Sequence, residues 1–418
     1  MQRSNRMILR KASVLLPRSR FLHVSILSLC SAALTKVSSA ETPSRVSRVK
    51  GAFFGALVAD ALCLGSHYEY DAKAIKEAYG GKPIEKYLGP GEQMGGTTHG
   101  VGWGRRNYHP GQKKGDNTDY GLYNEIMLEY LSQTHKQKNQ SVDLKNLLPW
   151  WQQKFAPGTW GAWIDTQTKA ALQQVQSTDI STLAQNKDAM LGGVSNAMAF
   201  RGAPLPAAYD DEDAAAKAAR DLMFTHRNRE ALDGGEFFAR MMHRIVYLGE
   251  SPEVAMEAVE KKMKNPFISA QVKKAVDKYN EVMDPSRPLG KEEFVDDLAM
   301  TSMARLWDVG KTEPIKVGKA SPTEGTMPSS LYIILKYKDS FTQAARANAM
   351  VGGDNASRSV VIGAVLGAWH GVEGIWKEEK GGEGHLKEGL NSWDKCEGYL
   401  SKMPMVQEEE KGKGHEEL

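Results

Sequence analysis

From Gly51 onward, apolar residues recur at helical spacing, and no stretch alternates apolar and polar at period two for long enough to make a strand. After Asp116-Asn117, the residues Tyr123, Ile126, Met127, Tyr130 and Leu131 mark one face of a helix, and the Asp/Asn pair ahead of them can cap its free N–H groups. Similar stripes at 213–223, 235–248, 254–263, 291–306 and 339–350 predict further helices. The polar connections are too short to mark a domain linker, and no internal repeat is present. The pattern predicts an all-α fold, a compact single-domain multi-helix bundle over about residues 48–403. Gly363, Gly367 and Gly371 recur every four residues and would let another helix approach closely. One connection stands apart: residues 89–115 hold nine glycines together with His99, Trp103, Arg105, Arg106 and His109. A structureless loop of that length reads either as a solvent flap or as a lid whose Arg and Trp side chains meet an anionic, ring-containing ligand.

Composition narrows the class. With 418 residues, 41% apolar and 25% charged, the chain is an ordinary globular protein, neither disordered, collagen-like nor a disulfide scaffold. The formal charge of +3 is uneven, because residues 1–40 carry seven Lys/Arg and no acid, which leaves the remainder four charges negative. A mildly acidic body gives no basic face for a nucleic-acid partner.

The basic run to Arg20, the apolar and small stretch Phe21 to Leu34 and the Ser38-x-Ala40 site have the layout of a secretory signal peptide, with an organellar transit peptide (mitochondrion or plastid) as the alternative. The stretch is shorter than the roughly 18 residues of a membrane span, so no stable membrane insertion is expected once the signal is removed. At the other end, the charged tail 404–418 finishes in His415-Glu416-Glu417-Leu418, similar to a retrieval signal of the early secretory pathway. Together the two ends predict the endoplasmic reticulum lumen. Cys63 and Cys396 either pair there or remain as buried apolar residues, and Asn139-Gln-Ser141 is a glycosylation sequon.

Candidate chemistry gathers in four places. Gly115-Asp116-Asn117-Thr118-Asp119-Tyr120-Gly121 and Gly352-Gly353-Asp354-Asn355-Ala356-Ser357-Arg358 each open a helix. Either is explained alone by capping and by acids complementing the helix dipole; two together suggest oxygens converging on a hard cation such as Mg²⁺. Gly192-Gly193-Val-Ser195-Asn196 is either an interhelical loop or, through its main-chain amides, a diphosphate cradle. Thr225-His226 ends an Ala-rich helix, where a histidine either complements the dipole or takes part in catalysis.

In this order the clusters resemble the ADP-ribosylglycohydrolase family. The likeness begins at Lys50-Gly-Ala-Phe-Phe-Gly55-Ala-Leu-Val-Ala-Asp60-Ala61-Leu62, with Glu69 at a family acid. It continues through Asn-Thr118-Asp119, Ser195-Asn-Ala-Met-x-x-Arg201-x-Ala-Pro-Leu, Thr225-His226, Met327-Pro-Ser-Ser-Leu-Tyr332 and Gly352-Gly-Asp354, about 350 residues in all. The resemblance implies a compact all-α bundle, metal ligation by Thr118, Asp119, Asp354 and Ser357, a diphosphate on Gly193, Ser195 and Asn196, and Glu69 and His226 lining the ribose entry. It implies a catalytic set of Asp119, Asp354 and Glu69.

Two departures matter. The family's Thr-Asp-Asp-Thr reads Thr118-Asp119-Tyr120-Gly121 here, and its Gly-Gly-Asp-x-Asp-Thr/Ser reads Gly352-Gly-Asp354-Asn355-Ala356-Ser357, so both second acids are gone. Two close dications need carboxylates to offset their repulsion, so one Mg²⁺ is the expected ceiling. The sequence thus predicts a hydrolase of ADP-ribosyl glycosidic linkages, acting on an ADP-ribosylated protein or a small ADP-ribose conjugate. The alternative is an inactive ADP-ribose-binding or crystallin-like structural protein of the same fold.

Overall fold

The two helices Arg45–Cys63 and Asn355–Gly374 make the most extensive contact in the molecule. Their glycines dictate it. A Cβ on Gly51 would stand 2.1 Å from the Gly367 carbonyl oxygen, and one on Gly55 would stand 2.2 Å from that of Gly363. Only bare main chain allows the helices this close. Phe53, Phe54, Leu57, Val361, Val365 and Leu366 are buried around the contact. Gly371, at φ 73°, kinks the later helix in a left-handed conformation that favours glycine.

This is a computed structural model, and it describes residues 42–100, 103–186, 200–306, 315–316, 318–375 and 385–409. Among them, regular structure is almost wholly helical. The anticipated stripes fall in the helices Asp119–Thr134, Glu212–Leu222, Arg229–His243, Pro252–Met263, Val295–Met303 and Phe341–Val351, with a π turn over Arg244–Leu248. Most starts are set by capping side chains: Ser44, Thr118, Asp165, Asp211, Asn228, Ser251, Asn265 and Ser340 each accept a main-chain N–H from the turn they open.

The Gly-rich connection is more ordered than its sequence suggests. It contains a 3₁₀ turn, Glu92–Met94, and a small antiparallel ribbon pairing Thr98–Gly100 with Gly104–Arg106, turned at Gly104 with φ 77°. A second two-residue ribbon pairs Arg305–Leu306 with Ile315–Lys316.

Pro43–Leu418 form one compact unit. The folded body runs past the expected boundary at 403: residues 404–409 are helical, Met405 and Val406 are buried, and the Val46 N–H donates to Glu409. Residues 1–41 and 410–418, which carry the signal and retrieval readings, lie outside the described residues. Among the described residues, no helix is long and apolar enough to cross a membrane. Cys63 and Cys396 are both buried and free. The sequon Asn139 is exposed, yet its side chain is committed: Nδ2 donates to Asp210, and Oδ1 accepts the main-chain N–H groups of Asp210 and Asp211.

Candidate active site

Asp60, near the end of the opening helix, organises the first acidic cluster. Its carboxylate accepts the Thr118 N–H at 2.8 Å, the Thr118 hydroxyl at 2.7 Å and the Asn117 amide at 3.0 Å. Burial pushes the Asp60 carboxyl up to about 7, against the pull of those donors. Thr118 also caps the helix by accepting the Tyr120 N–H at 3.2 Å. Asp119 is thereby the first residue of a helix, wholly buried, and neither of its carboxylate oxygens has a hydrogen-bond partner in another residue among the described residues. Burial, then the carboxylates of Asp165, Asp354 and Asp60, hold it well above the usual carboxylate range.

The second cluster is presented by a strained turn. Gly352 and Gly353 both have positive φ, and a Cβ on Gly352 would stand 2.1 Å from the Glu69 carbonyl oxygen. This closeness lets the Tyr68 N–H donate to the Gly353 oxygen at 2.8 Å and the Gly353 N–H to the Glu69 oxygen at 2.6 Å. The exchange brings His67, just ahead of Tyr68, against Asp354. His67 Nε2 lies 3.2 Å from Asp354 Oδ1, and the Tyr120 hydroxyl donates to Asp354 Oδ2 at 2.9 Å. Asp354 Oδ1 also accepts the Ser357 N–H at 3.4 Å.

The two expected acids therefore meet at one histidine. A ring nitrogen of His67, a ring nitrogen of His109 and a carboxylate oxygen of Asp119 lie within 4.8 Å of one another. The His67 and His109 rings are linked Nδ1 to Nε2 at 2.8 Å, and the Trp163 N–H reaches His109 Nδ1 at 3.2 Å. A main-chain N–H can only donate, so His109 Nδ1 accepts, and the remaining directions follow. His109 Nε2–H donates to His67 Nδ1, and His67 Nε2–H donates to Asp354. Burial lowers both imidazoles below the usual histidine range, which keeps them neutral and suits this arrangement.

The cluster has the composition of a His/Asp metal site, but its nitrogens are occupied by that chain. The residues anticipated for Mg²⁺ also make hydrogen bonds within the site. Thr118 donates to Asp60, Ser357 donates to the Asp354 main-chain oxygen at 2.9 Å, and both carboxylate oxygens of Asp354 accept hydrogen bonds. Mg²⁺ takes about six oxygens in near-octahedral geometry. Thr118 and Ser357 keep oxygen lone pairs while donating; of the four, only Asp119 has both side-chain oxygens without a partner among the described residues, and Tyr120 and Ala356 stand where the family's further acids would be. With Tyr120 and Ala356 in place of two acids, and Asp354 already holding His67 and Tyr120, the site offers fewer free carboxylate oxygens than a Mg²⁺ ion on Thr118, Asp119, Asp354 and Ser357 calls for, while His67, His109 and Asp119 form a candidate metal-binding triad. Arg358 places a buried guanidinium whose charge acts on Asp354 and His67. It donates to Asn348 Oδ1 and to the carbonyls of Lys319 and Gly352, bracing the glycine turn.

The other anticipated residues surround this centre. Glu69 is buried, and its carboxylate accepts from Arg105 at 3.0 Å and from the His99 N–H at 3.1 Å, which ties the Gly-rich ribbon down. His226 Nε2 lies 3.4 Å from Asp165 Oδ1. Asp165, which sequence reasoning missed, also accepts the Tyr123 hydroxyl at 3.0 Å and the Thr168 hydroxyl at 2.6 Å. Although burial acts in the opposite sense, His226 and the Thr168 donors take Asp165 well below the usual carboxylate range. Gly193, Ser195 and Asn196 lie outside the described residues. Above the histidines, Tyr68, Trp103, Tyr108 and Trp163 form an aromatic wall; the Arg106 guanidinium sits 4.7 Å from the Tyr108 ring centre and 5.0 Å from that of Trp163.

A mostly helical body thus brings two acidic helix starts together at a buried site. Residues 41–403 match the ADP-ribosylglycohydrolase family, and the chain belongs to it. A solved structure named "ADP-ribosylglycohydrolase-related protein complex" shares the fold at TM-score 0.54 and 19% identity, over 87% of this chain and 99% of that one. No curated protein matches.

Proposed function

We propose that this protein hydrolyses an ADP-ribosyl glycosidic linkage, in an ADP-ribosylated protein or a small ADP-ribose conjugate. The observation that carries the reading is Asp119: a wholly buried carboxyl, unpartnered at both oxygens, beside two histidines and a second carboxyl. A fold leaves a buried polar group unsatisfied at a cost of roughly 1–3 kcal/mol, and such groups collect where a ligand completes them.

Burial and the neighbouring carboxylates favour the protonated form of Asp119, which can give its proton to the departing nitrogen or oxygen as the bond to the anomeric carbon breaks. Water forms the new bond to that carbon, and Asp354, oriented by His67 and Tyr120, receives the proton that water releases. The products are ADP-ribose and the free acceptor. Glu69 acts by fixing Arg105 and the ribbon, His226 by orienting Asp165 at the ribose entry, and Gly193, Ser195 and Asn196 by holding the diphosphate.

The test is release of ADP-ribose from arginine-linked, serine-linked and small-molecule conjugates by the wild type and Asp119→Asn. Equal turnover in both proteins would remove Asp119 from the reaction. The second reading, a non-hydrolysing ADP-ribose binder, draws on the lost acids at Tyr120 and Ala356; saturable ADP-ribose binding with no turnover of any conjugate would select it. We also place the protein in the lumen of the endoplasmic reticulum, and imaging a fluorescent insertion after Ala40, with residues 415–418 kept or deleted, tests that location.

A further inference from the structure

We propose that the hydrogen-bonded strut His109–His67–Asp354–Tyr120 replaces a bridging cation, so that this chain holds its two helix starts together and binds ADP-ribose without a divalent metal ion. The proposal deepens the hydrolase reading and rests on it only for the choice of ligand.

Every link of the strut has a fixed direction. The Trp163 N–H cannot accept, so its 3.2 Å contact makes His109 Nδ1 an acceptor and His109 Nε2 the donor across 2.8 Å to His67. His67 is left with a single N–H, which is spent on Asp354 at 3.2 Å. From the other side, Tyr120, on the helix that begins with Asp119, donates its hydroxyl to the second oxygen of Asp354 at 2.9 Å. Asp354 thus receives neutral donors on both oxygens. The rings fill the space as well as supplying the donors. The Tyr120 ring stands edge-on to His67 at 6.2 Å, while Tyr68 stacks on the other imidazole face at 3.8 Å.

The substitutions change the local charge. An ion pair bridged by cations needs surplus carboxylates. At position 120 the acid has become the tyrosine that supplies a donor, and at position 356 it has become a buried alanine. Losing both acids lowers the negative charge that a cation would have offset, and the buried Arg358 guanidinium still acts on the remaining Asp354. Removing the acids alone would not leave a tyrosine aimed at Asp354. Arg358, through the carbonyls of Lys319 and Gly352, braces the turn that presents Asp354 and is independent of any ion.

The experiment uses the full mature chain after chelation. Calorimetric titrations with Mg²⁺, Mn²⁺ and Zn²⁺ are expected to give no saturable isotherm, and melting temperature is expected to stay constant across millimolar metal. ADP-ribose affinity is expected to agree within about threefold with and without EDTA, whereas a coupled ion would move it roughly 5–150-fold. Tyr120→Asp returns an acid and removes the donor. It is expected to acquire a saturable Mn²⁺ isotherm and a melting temperature that climbs by about 2 °C or more with metal. Stoichiometric metal binding by the wild type that tightens ADP-ribose overturns the proposal, whatever Tyr120→Asp does. If ADP-ribose does not bind under any condition, the hydrolase reading fails, and the wild-type metal titrations still decide the strut.

Discussion

Asp119 and Asp354 stand at the starts of two helices, both buried, both preceded by glycine-containing turns, yet their surroundings are opposite. Asp354 is held by His67, Tyr120 and the Ser357 N–H, while among the described residues Asp119 has no partner in another residue at either oxygen. The difference comes from what packs opposite each one. The glycine turn at 352–353 lets the His67–Glu69 segment press against Asp354, while Thr118, the residue before Asp119, gives both its N–H and its hydroxyl to Asp60. Two similar motifs thus give one positioned carboxylate and one open acid, the asymmetry that glycosidic acid–base chemistry requires.

The comparison breaks most visibly at the open acid. Asp119→Asn is expected to lower turnover by about 10²–10⁴-fold, the usual worth of a general acid, while the melting temperature stays level or rises because an unpartnered buried carboxyl has been removed. ADP-ribose release and calorimetry check the two halves. A parallel fall in stability would mean that Asp119 supports the fold instead.

The next largest effect is a pH dependence rooted in Asp60, pushed up to about 7 by burial. A carboxyl raised in the folded chain retains a proton that the unfolded chain has released, so its contribution is complete below about pH 4 and is lost as pH rises towards 7. The loss is on the order of 4 kcal/mol, with Asp119 acting in the same direction. Urea unfolding at pH 5 and pH 7.5 is expected to show the wild type weakening with pH and Asp60→Asn weakening less.

A Cβ at Gly363 would meet the Gly55 oxygen at 2.1 Å, so Gly363→Ala is expected to destabilise by about 1–3 kcal/mol. By pushing the paired helices apart it also displaces Asp60 from Thr118, and kcat is expected to fall with stability. Smallest is Tyr120→Phe, which removes one donor from Asp354 and makes it resemble Asp119. A loss of about 1–2 kcal/mol in chemical unfolding is expected, and no loss at all would show that the hydroxyl is not holding Asp354.

The helical stripes and the capping residues were legible because both are local. Thr118, Asp119, Asp354 and Ser357 stood out for the same reason, as acids and hydroxyls grouped at helix starts. His67 carried no such signal, being a lone histidine after Gly65-Ser66, and His109 was visible only as one residue of a Gly-rich loop. Asp165 reads as an ordinary cap for Thr166–Ser177, and only its meeting with His226, 61 positions away in the chain, gives it another role.

The order of motifs along the chain determined family and fold, because helix periodicity, capping and small-residue spacing are written in neighbouring residues. The state of the site was decided in three dimensions. Whether an aspartate binds a cation or a tyrosine depends on which donors reach it, and those donors come from segments more than two hundred residues apart in the chain, brought together by a turn that only glycine can make.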